Sequence, residues 1–154
     1  MNANLIVVTG CFGAPVLEEA SALSREHELP LVELDKEIEQ RDGRTIRRLV
    51  MMNGEHGYRN AEFELLQELA EKGKPCVIAC GDGVLYDDDS RSIICENELV
   101  IAGADLSEEA LWENASSCSD SYHAFMSFGT EEEKRKAFAD LIRRQRLLFE
   151  GVAK

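Results

Sequence analysis

Apolar residues fall into two kinds of run along this chain. Leu5-Ile6-Val7-Val8, Cys76-Val77-Ile78-Ala79-Cys80 and Leu99-Val100-Ile101-Ala102 are unbroken. Such runs read as strands covered on both faces, as in a parallel sheet. Leu31 to Asp35, after Pro30, reads as a further strand. Helical spacing fills the gaps: Val16 to Glu28, Lys36 to Arg41 ending near Gly43, and Ile46 to Met52 stopped by Asn53-Gly54. A fourth helix, Gly57 to Lys72, carries Ala61, Leu65, Leu66 and Leu69 on one face and ends at Gly73-Lys74-Pro75. Asp87-Asp88-Asp89 opens a solvated helix, Leu106 to Glu109 caps one through Trp112, and Thr130 caps a last one from Glu131 to Phe149. Asn114 to Ser121, small and polar, is expected to be a mobile loop. Alternating strands and helices predict an α/β fold with a parallel sheet of about four strands, residues 1–154 forming one domain.

Composition narrows the function classes. With 44% hydrophobic and 31% charged residues, the chain is globular. A formal net charge of -13 argues against nucleic acid and anionic membranes, which call for basic patches. No apolar run is long enough to span a bilayer and no signal-peptide pattern opens the chain, so a cytoplasmic location is expected. The five cysteines show no C-x-x-C pairing, and His27, His56 and His123 are scattered, so reduced thiols are expected and a metal site is not.

The first strand leads into Gly10-Cys11-Phe12-Gly13-Ala14-Pro15-Val16-Leu17 and then a helix, the layout of a phosphate-binding loop, G-x-x-x-x-G-K-[ST]. Gly10 takes the first glycine. Pro15 stands at the second, Val16 at the lysine and Leu17 at the magnesium-binding hydroxyl. Pro15 removes an N–H donor, Val16 carries no charge and Leu17 cannot touch a metal. By itself the segment is an ordinary turn between a strand and a helix.

Later segments carry a family resemblance. Leu34-Asp35-Lys36-Glu37-Ile38-Glu39-Gln40-Arg41-Asp42-Gly43-Arg44-Thr45-Ile46 resembles the D-x-D-x-x-I-E-x-x-x-G-x-[ST]-I segment of shikimate kinases. Gly54-Glu55-His56-Gly57-Tyr58-Arg59-Asn60-Ala61-Glu62 is similar to their G-E-x-x-F-R-x-x-E, with tyrosine for phenylalanine. Gly81-Asp82-Gly83 stands where the family has three glycines, and Arg91 where an arginine is usual. The match covers residues 4–102 well and the remainder loosely.

The resemblance implies a P-loop-type sheet flanked by helices and, in the family, phosphorylation of a shikimate hydroxyl with MgATP. It implies that Asp35 binds the acceptor's hydroxyls, that Arg59 pairs with its carboxylate and that Glu62 orients Arg59, with Gly81 and Gly83 beside the acceptor. Without it, Asp35 reads as a helix N-cap and Arg59–Glu62 as a surface ion pair. Several departures matter. Glu33 replaces the first aspartate of D-x-D, one methylene longer at a position that meets a metal. Asp82 puts a negative charge beside the acceptor pocket, and His123 stands where a second carboxylate-binding arginine is expected. Asn114 to Ser121 lacks the lid arginine, and the sequence ends at Lys154 where the family continues with a fifth strand, an adenine loop and a helix.

Two functional expectations follow. The first is a degenerate relative without nucleotide binding, needing neither ATP nor Mg, whose Gly10–Gly13 loop is a remnant and which keeps a carboxylate or polyol pocket or serves in assembly. The second is an active small-molecule kinase using ATP and Mg, with Arg143, Arg144 or Arg146 replacing the missing lysine and Asp35 as its catalytic residue. Glu98–Ala102, left at the sheet edge, is a template for pairing and predicts a homodimer.

Overall fold

The computed structural model describes residues 4–118 and 121–152. Four strands, β1 (Leu5–Gly10), β2 (Leu31–Glu33), β3 (Cys76–Ala79) and β4 (Glu98–Ala102), form one parallel sheet in the order β2-β3-β1-β4. Parallel strands need crossover connections. These are α1 (Val16–His27) between β1 and β2, α2 (Leu34–Asp42) and α3 (Ile46–Lys72) between β2 and β3, and α4 (Asp88–Cys95) between β3 and β4. After β4 come α5 (Glu108–Ser116) and α6 (Glu131–Val152), with short 3-10 turns at Val84–Tyr86 and Ala124–Met126.

The two faces of β1 are buried against different layers. Leu5 and Val7, with Ile78 of β3, join a large core with Leu34 and Ile38 of α2, Leu65 and Leu66 of α3, Ile94 of α4, Leu111 of α5, and Phe138 and Ile142 of α6. Ile6 and Val8, with Val77 and Ala102, pack with Ala20 and Leu23 of α1. This two-sided burial is why β1 and β3 are continuously apolar. Helix starts are fixed by side chains: Thr45 accepts from the Arg48 N–H (3.2 Å), Asp87 from Ser90 (2.9 Å) and Ser107 from Ala110 (3.1 Å). Thr130 and Glu133 form a reciprocal capping box, at 3.1 and 2.8 Å.

Two sequence-based expectations change. The strand expected to reach Asp35 stops at Glu33, because its only neighbour, β3, ends opposite it at Ala79. Leu34 and Asp35 therefore begin α2, with Glu33 rather than Asp35 at the N-cap. The break expected at Asn53-Gly54 is present within α3: Gly54 leaves helical geometry at φ 77, ψ 170 and separates two helical segments. The helix expected to stop at Trp112 runs to Ser116: Ala115 is buried and the Asn114 amide donates to the Gly13 carbonyl (3.0 Å), so only part of the loop expected over Asn114 to Ser121 exists. Ser119 and Asp120 of that loop lie outside the described residues. Among the described residues no helix is long and apolar enough to cross a membrane.

Candidate functional site

The carboxyl ends of β1 and β3 and the first turns of α1 and α2 meet at one end of the sheet, where open α/β sheets hold their ligands. The loop after β1 is covered from the opposite side. Gly13, at φ +99, lies so close beneath α5 that a Cβ there would collide with the Leu111 carbonyl. Gly10 is also crowded, with a Cβ position 2.8 Å from the Ala102 carbonyl oxygen. Three of the loop's donors are turned inward. Ala14 N–H bonds the Cys11 carbonyl and Val16 N–H the Ala14 carbonyl, both at 2.9 Å. Phe12 N–H donates to Gln145 Oε1 of α6 at 3.0 Å, in a buried bond. The Phe12 ring points into the core, 5.9 Å from Phe138 and 4.6 Å from His123.

Behind the sheet end lies a buried polar network. Arg59, on α3, is only 6% exposed. It donates to Glu62 Oε1 at 2.6 Å, to Glu55 at 3.1 Å and to the Tyr122 hydroxyl at 2.7 Å. Neighbouring Tyr58 gives its hydroxyl to Asp35 Oδ1 at 2.6 Å. Residues Gly81-Asp82-Gly83 thread between these groups, and Thr9 donates to the Gly81 carbonyl at 2.7 Å. A side chain at Gly83 would strike the Arg59 guanidinium. Asp82 turns away from Arg59 toward His123 Nε2 (2.9 Å) and Gln145 Nε2 (2.6 Å). Gln145 thus ties the loop to Asp82 through the two ends of one amide.

Burial dominates the electrostatics. It raises Asp35 to about 6 against the Tyr58 hydrogen bond, and pushes Glu62 up against the opposing pull of Arg59. Asp82 differs: burial favours its neutral form, but the bonds from His123 and Gln145 hold its carboxyl below the usual range. Burial also raises the Tyr58 and Tyr122 hydroxyls.

In front of the network is a cleft of about 260 Å³. Val16, Leu17 and Ala79 supply its apolar wall, and Glu33, Asp35, Lys36 and Glu39 its polar one. Glu33 pairs with Lys36 at 3.6 Å, and Glu39 caps α3 through the Ile46 N–H at 2.8 Å. Asp35, Arg59, Glu62, Gly81 and Gly83 are therefore brought together. Gly10 and Gly13 lie in the loop, and Glu33 at the rim of the cleft. The surface ion pair that spacing alone suggests for Arg59–Glu62 is buried. Of the basic cluster, Arg143 pairs with Asp140 (3.2 Å), Arg144 reaches the Asp140 carbonyl (3.5 Å) and Arg146 donates to the Leu106 carbonyl (2.7 Å). Arg91 is engaged by Asp88. Glu55, Tyr122 and Gln145 were not anticipated from sequence. Gln145 sits inside a basic run of the last helix, and only its complete burial exposes its role.

The family model for shikimate kinase matches residues 20–144. This chain belongs to the shikimate kinase family. It is 30% identical over 109 residues to the shikimate kinase of Aromatoleum aromaticum, covering 71% of this chain and 61% of that one. It is 33% identical over 108 residues to that of Cereibacter sphaeroides, covering 70% and 53%. The bifunctional shikimate kinase/3-dehydroquinate synthase of Thermotoga maritima is 35% identical over 89 residues, 58% of this chain but 18% of that protein. The chain thus spans less than two thirds of the length of these curated relatives. Among solved structures, shikimate kinase from Acinetobacter baumannii in complex with shikimate superposes with a TM-score of 0.77 at 21% identity, covering 98% of this chain and 80% of that one. Shikimate kinase from Bacteroides thetaiotaomicron gives 0.79 at 21% identity, covering 97% and 83%. At that identity the likeness establishes the fold, the shikimate kinase α/β sheet.

Proposed function

We propose that this chain is a shikimate kinase relative, a single cytoplasmic α/β domain, that neither binds nucleotide triphosphate nor transfers phosphate, and that keeps the cleft beside Asp35 as a small-molecule pocket. The observation that carries this is the Phe12–Gln145 bond. A phosphate-binding loop works by offering free backbone N–H groups to phosphate oxygens. Here Phe12, Ala14 and Val16 direct theirs to protein acceptors and Pro15 has none. Phosphoryl transfer relies almost entirely on positioned charge, and Val16 and Leu17 supply none. Glu33, paired with Lys36, is poorly placed to hold a metal. The residues present do not fit ATP and Mg. Buried Cys11, Cys76 and Cys80 stand as thiols, as suits a reducing cytoplasm.

The alternative, an active kinase, has one observation in its favour. Arg146 lies near the loop, lining with Cys11 a cavity of about 240 Å³. Calorimetric titration with MgATP, alone and with shikimate, separates the two. No saturable heat to millimolar nucleotide is expected; saturable binding overturns the proposal and makes a phosphotransfer assay the next step.

The same reading extends to assembly. β4 has one strand neighbour, so its outer edge is free to pair among the described residues. We propose a homodimer through Glu98–Ala102. A monomer by sedimentation at micromolar concentration removes it.

A further inference from the structure

Packing crowds both flanking positions of Gly81-Asp82-Gly83 and leaves the middle one a side chain. A Cβ at Gly81 would stand 2.7 Å from the Tyr58 hydroxyl, and one at Gly83 would strike the Arg59 guanidinium. The Asp82 side chain enters a place suited to an acid. Its Oδ2 lies 2.9 Å from His123 Nε2 and 2.6 Å from Gln145 Nε2. The Arg59 guanidinium adds a favourable field from nearby, its own donors going to Glu55, Glu62 and Tyr122. Together these hold the carboxyl ionised against its burial.

The donors around this carboxylate are positioned without its help. The Phe12 N–H can only donate, so it draws Gln145 Oε1 toward itself and leaves Nε2 facing Asp82. The His123 ring is held among the rings of Phe12, Tyr122 and Phe125, with centroids 4.6, 4.2 and 5.7 Å away. Its backbone N–H bonds the Ser121 hydroxyl at 3.1 Å. An ionised carboxylate only accepts, so His123 Nε2 carries the hydrogen that faces Asp82. Two oriented donors beside a guanidinium are the parts of a carboxylate site, since charge-assisted hydrogen bonds are the strong ones. Here the chain fills that site itself.

We propose that Asp82 is an internal ligand: its carboxylate occupies a carboxylate-binding subsite formed by His123 and Gln145 in the field of Arg59, and thereby excludes small carboxylic acids from it. Asp82 is in this sense a specificity-determining residue. The subsite belongs to the network behind the cleft, so it depends neither on a ligand beside Asp35 nor on the loss of nucleotide binding. In a chain of net charge -13 an added anion gains nothing from the overall field. Protection by a small carboxylate therefore reports a local site.

The test is to empty the subsite and refill it. Asp82→Ala removes the carboxyl and leaves a space matched to formate; Asp82→Gly leaves one matched to acetate. Thermal melts of the full chain compare sodium formate, sodium acetate and sodium chloride at equal ionic strength. Formate should protect Asp82→Ala, and acetate Asp82→Gly, saturably in the millimolar range. The rise in Tm over chloride should reach about 3 °C at roughly ten times the half-saturating concentration. Wild-type protein, its subsite filled, should melt alike in all three salts. Asp82→Ala combined with His123→Phe keeps a ring against Phe12 but loses the donor, and should need roughly tenfold more formate. If a variant is unfolded in chloride, refolding from urea in its matched carboxylate is the same result read at the folding step. The inference is overturned if formate and acetate aid the variants no more than chloride does. It is equally overturned if they protect the wild type as well, or if His123→Phe leaves the formate requirement unchanged.

Discussion

Gln145 of α6 accepts the Phe12 N–H at 3.0 Å across 133 positions of sequence. Its other amide atom donates to Asp82, so one side chain satisfies a loop donor and a buried carboxylate together. Replacing it by an apolar residue strands the Phe12 N–H and leaves the Asp82 side chain with His123. Gln145→Leu should destabilise the fold by about 1–3 kcal/mol, chiefly from the one stranded buried donor. Urea unfolding measures this, and a change under about 0.5 kcal/mol would show that neither bond matters.

Arg59 and Glu62 form a buried pair, 8% and 0% exposed at the side chain. Removing one partner leaves the other's charge without compensation. Arg59→Met should cost about 3–5 kcal/mol, whereas Arg59→Met with Glu62→Leu should recover much of that loss. A double-mutant cycle in denaturant reads the coupling, and additive losses would argue against it.

Asp35 makes stability depend on pH in a direction opposite to that of most carboxylates. Its pKa rises from an ordinary value near 4 when unfolded to about 6 when folded, so the folded state holds the extra proton. That contribution is fully present below pH ~4 and is lost as pH rises through about 6, amounting to roughly 2–3 kcal/mol. Asp82, held low, acts with the opposite sign and loses its contribution as pH falls below ~4. Asp35→Asn should therefore flatten the stability profile between pH 4 and 6, judged by thermal melts across that range. An unchanged slope would remove Asp35 as its source.

Gly13 and Gly43 both adopt positive φ, at 99° and 87°. Only Gly13 is covered, by the Leu111 carbonyl; a Cβ at Gly43 would meet nothing within 4 Å. Gly43→Ala should cost about 1 kcal/mol from backbone conformation alone, and Gly13→Ala distinctly more. Equal losses in parallel melts would mean that α5 gives way easily and that the loop is less firmly covered.

Restoring the missing charge should not restore the nucleotide site. Val16→Lys is expected to leave MgATP binding undetectable to millimolar concentration, because the N–H groups of Phe12, Ala14 and Val16 stay committed to Gln145 and to loop carbonyls. Val16→Lys combined with Gln145→Ala, which frees the Phe12 N–H, is the comparison. Binding by the single variant would place the whole defect in the lysine.

Much of the layout is local and was legible in sequence. Apolar runs marked β1, β3 and β4 because strands buried on both faces need continuous hydrophobicity. Pro15, Val16 and Leu17 were visible as departures from the phosphate-binding pattern, since a donor, charge or hydroxyl is a property of the residue itself. Element ends were less legible. β2 stops where β3 stops, and α5 continues because Asn114 reaches Gly13, both consequences of a neighbour distant in sequence.

By itself, then, the sequence determined the α/β alternation, the family and the identities in the loop after β1, because periodicity and functional groups are written residue by residue. Only the tertiary structure decided that Asp82 turns to His123 and Gln145, that Arg59 is sealed behind Glu55, Glu62 and Tyr122, and that Phe12 spends its N–H inside the protein. The physical reason is that a buried polar group must find a partner wherever packing brings one. That choice depends on which helices share a face of the sheet, and no local pattern records it.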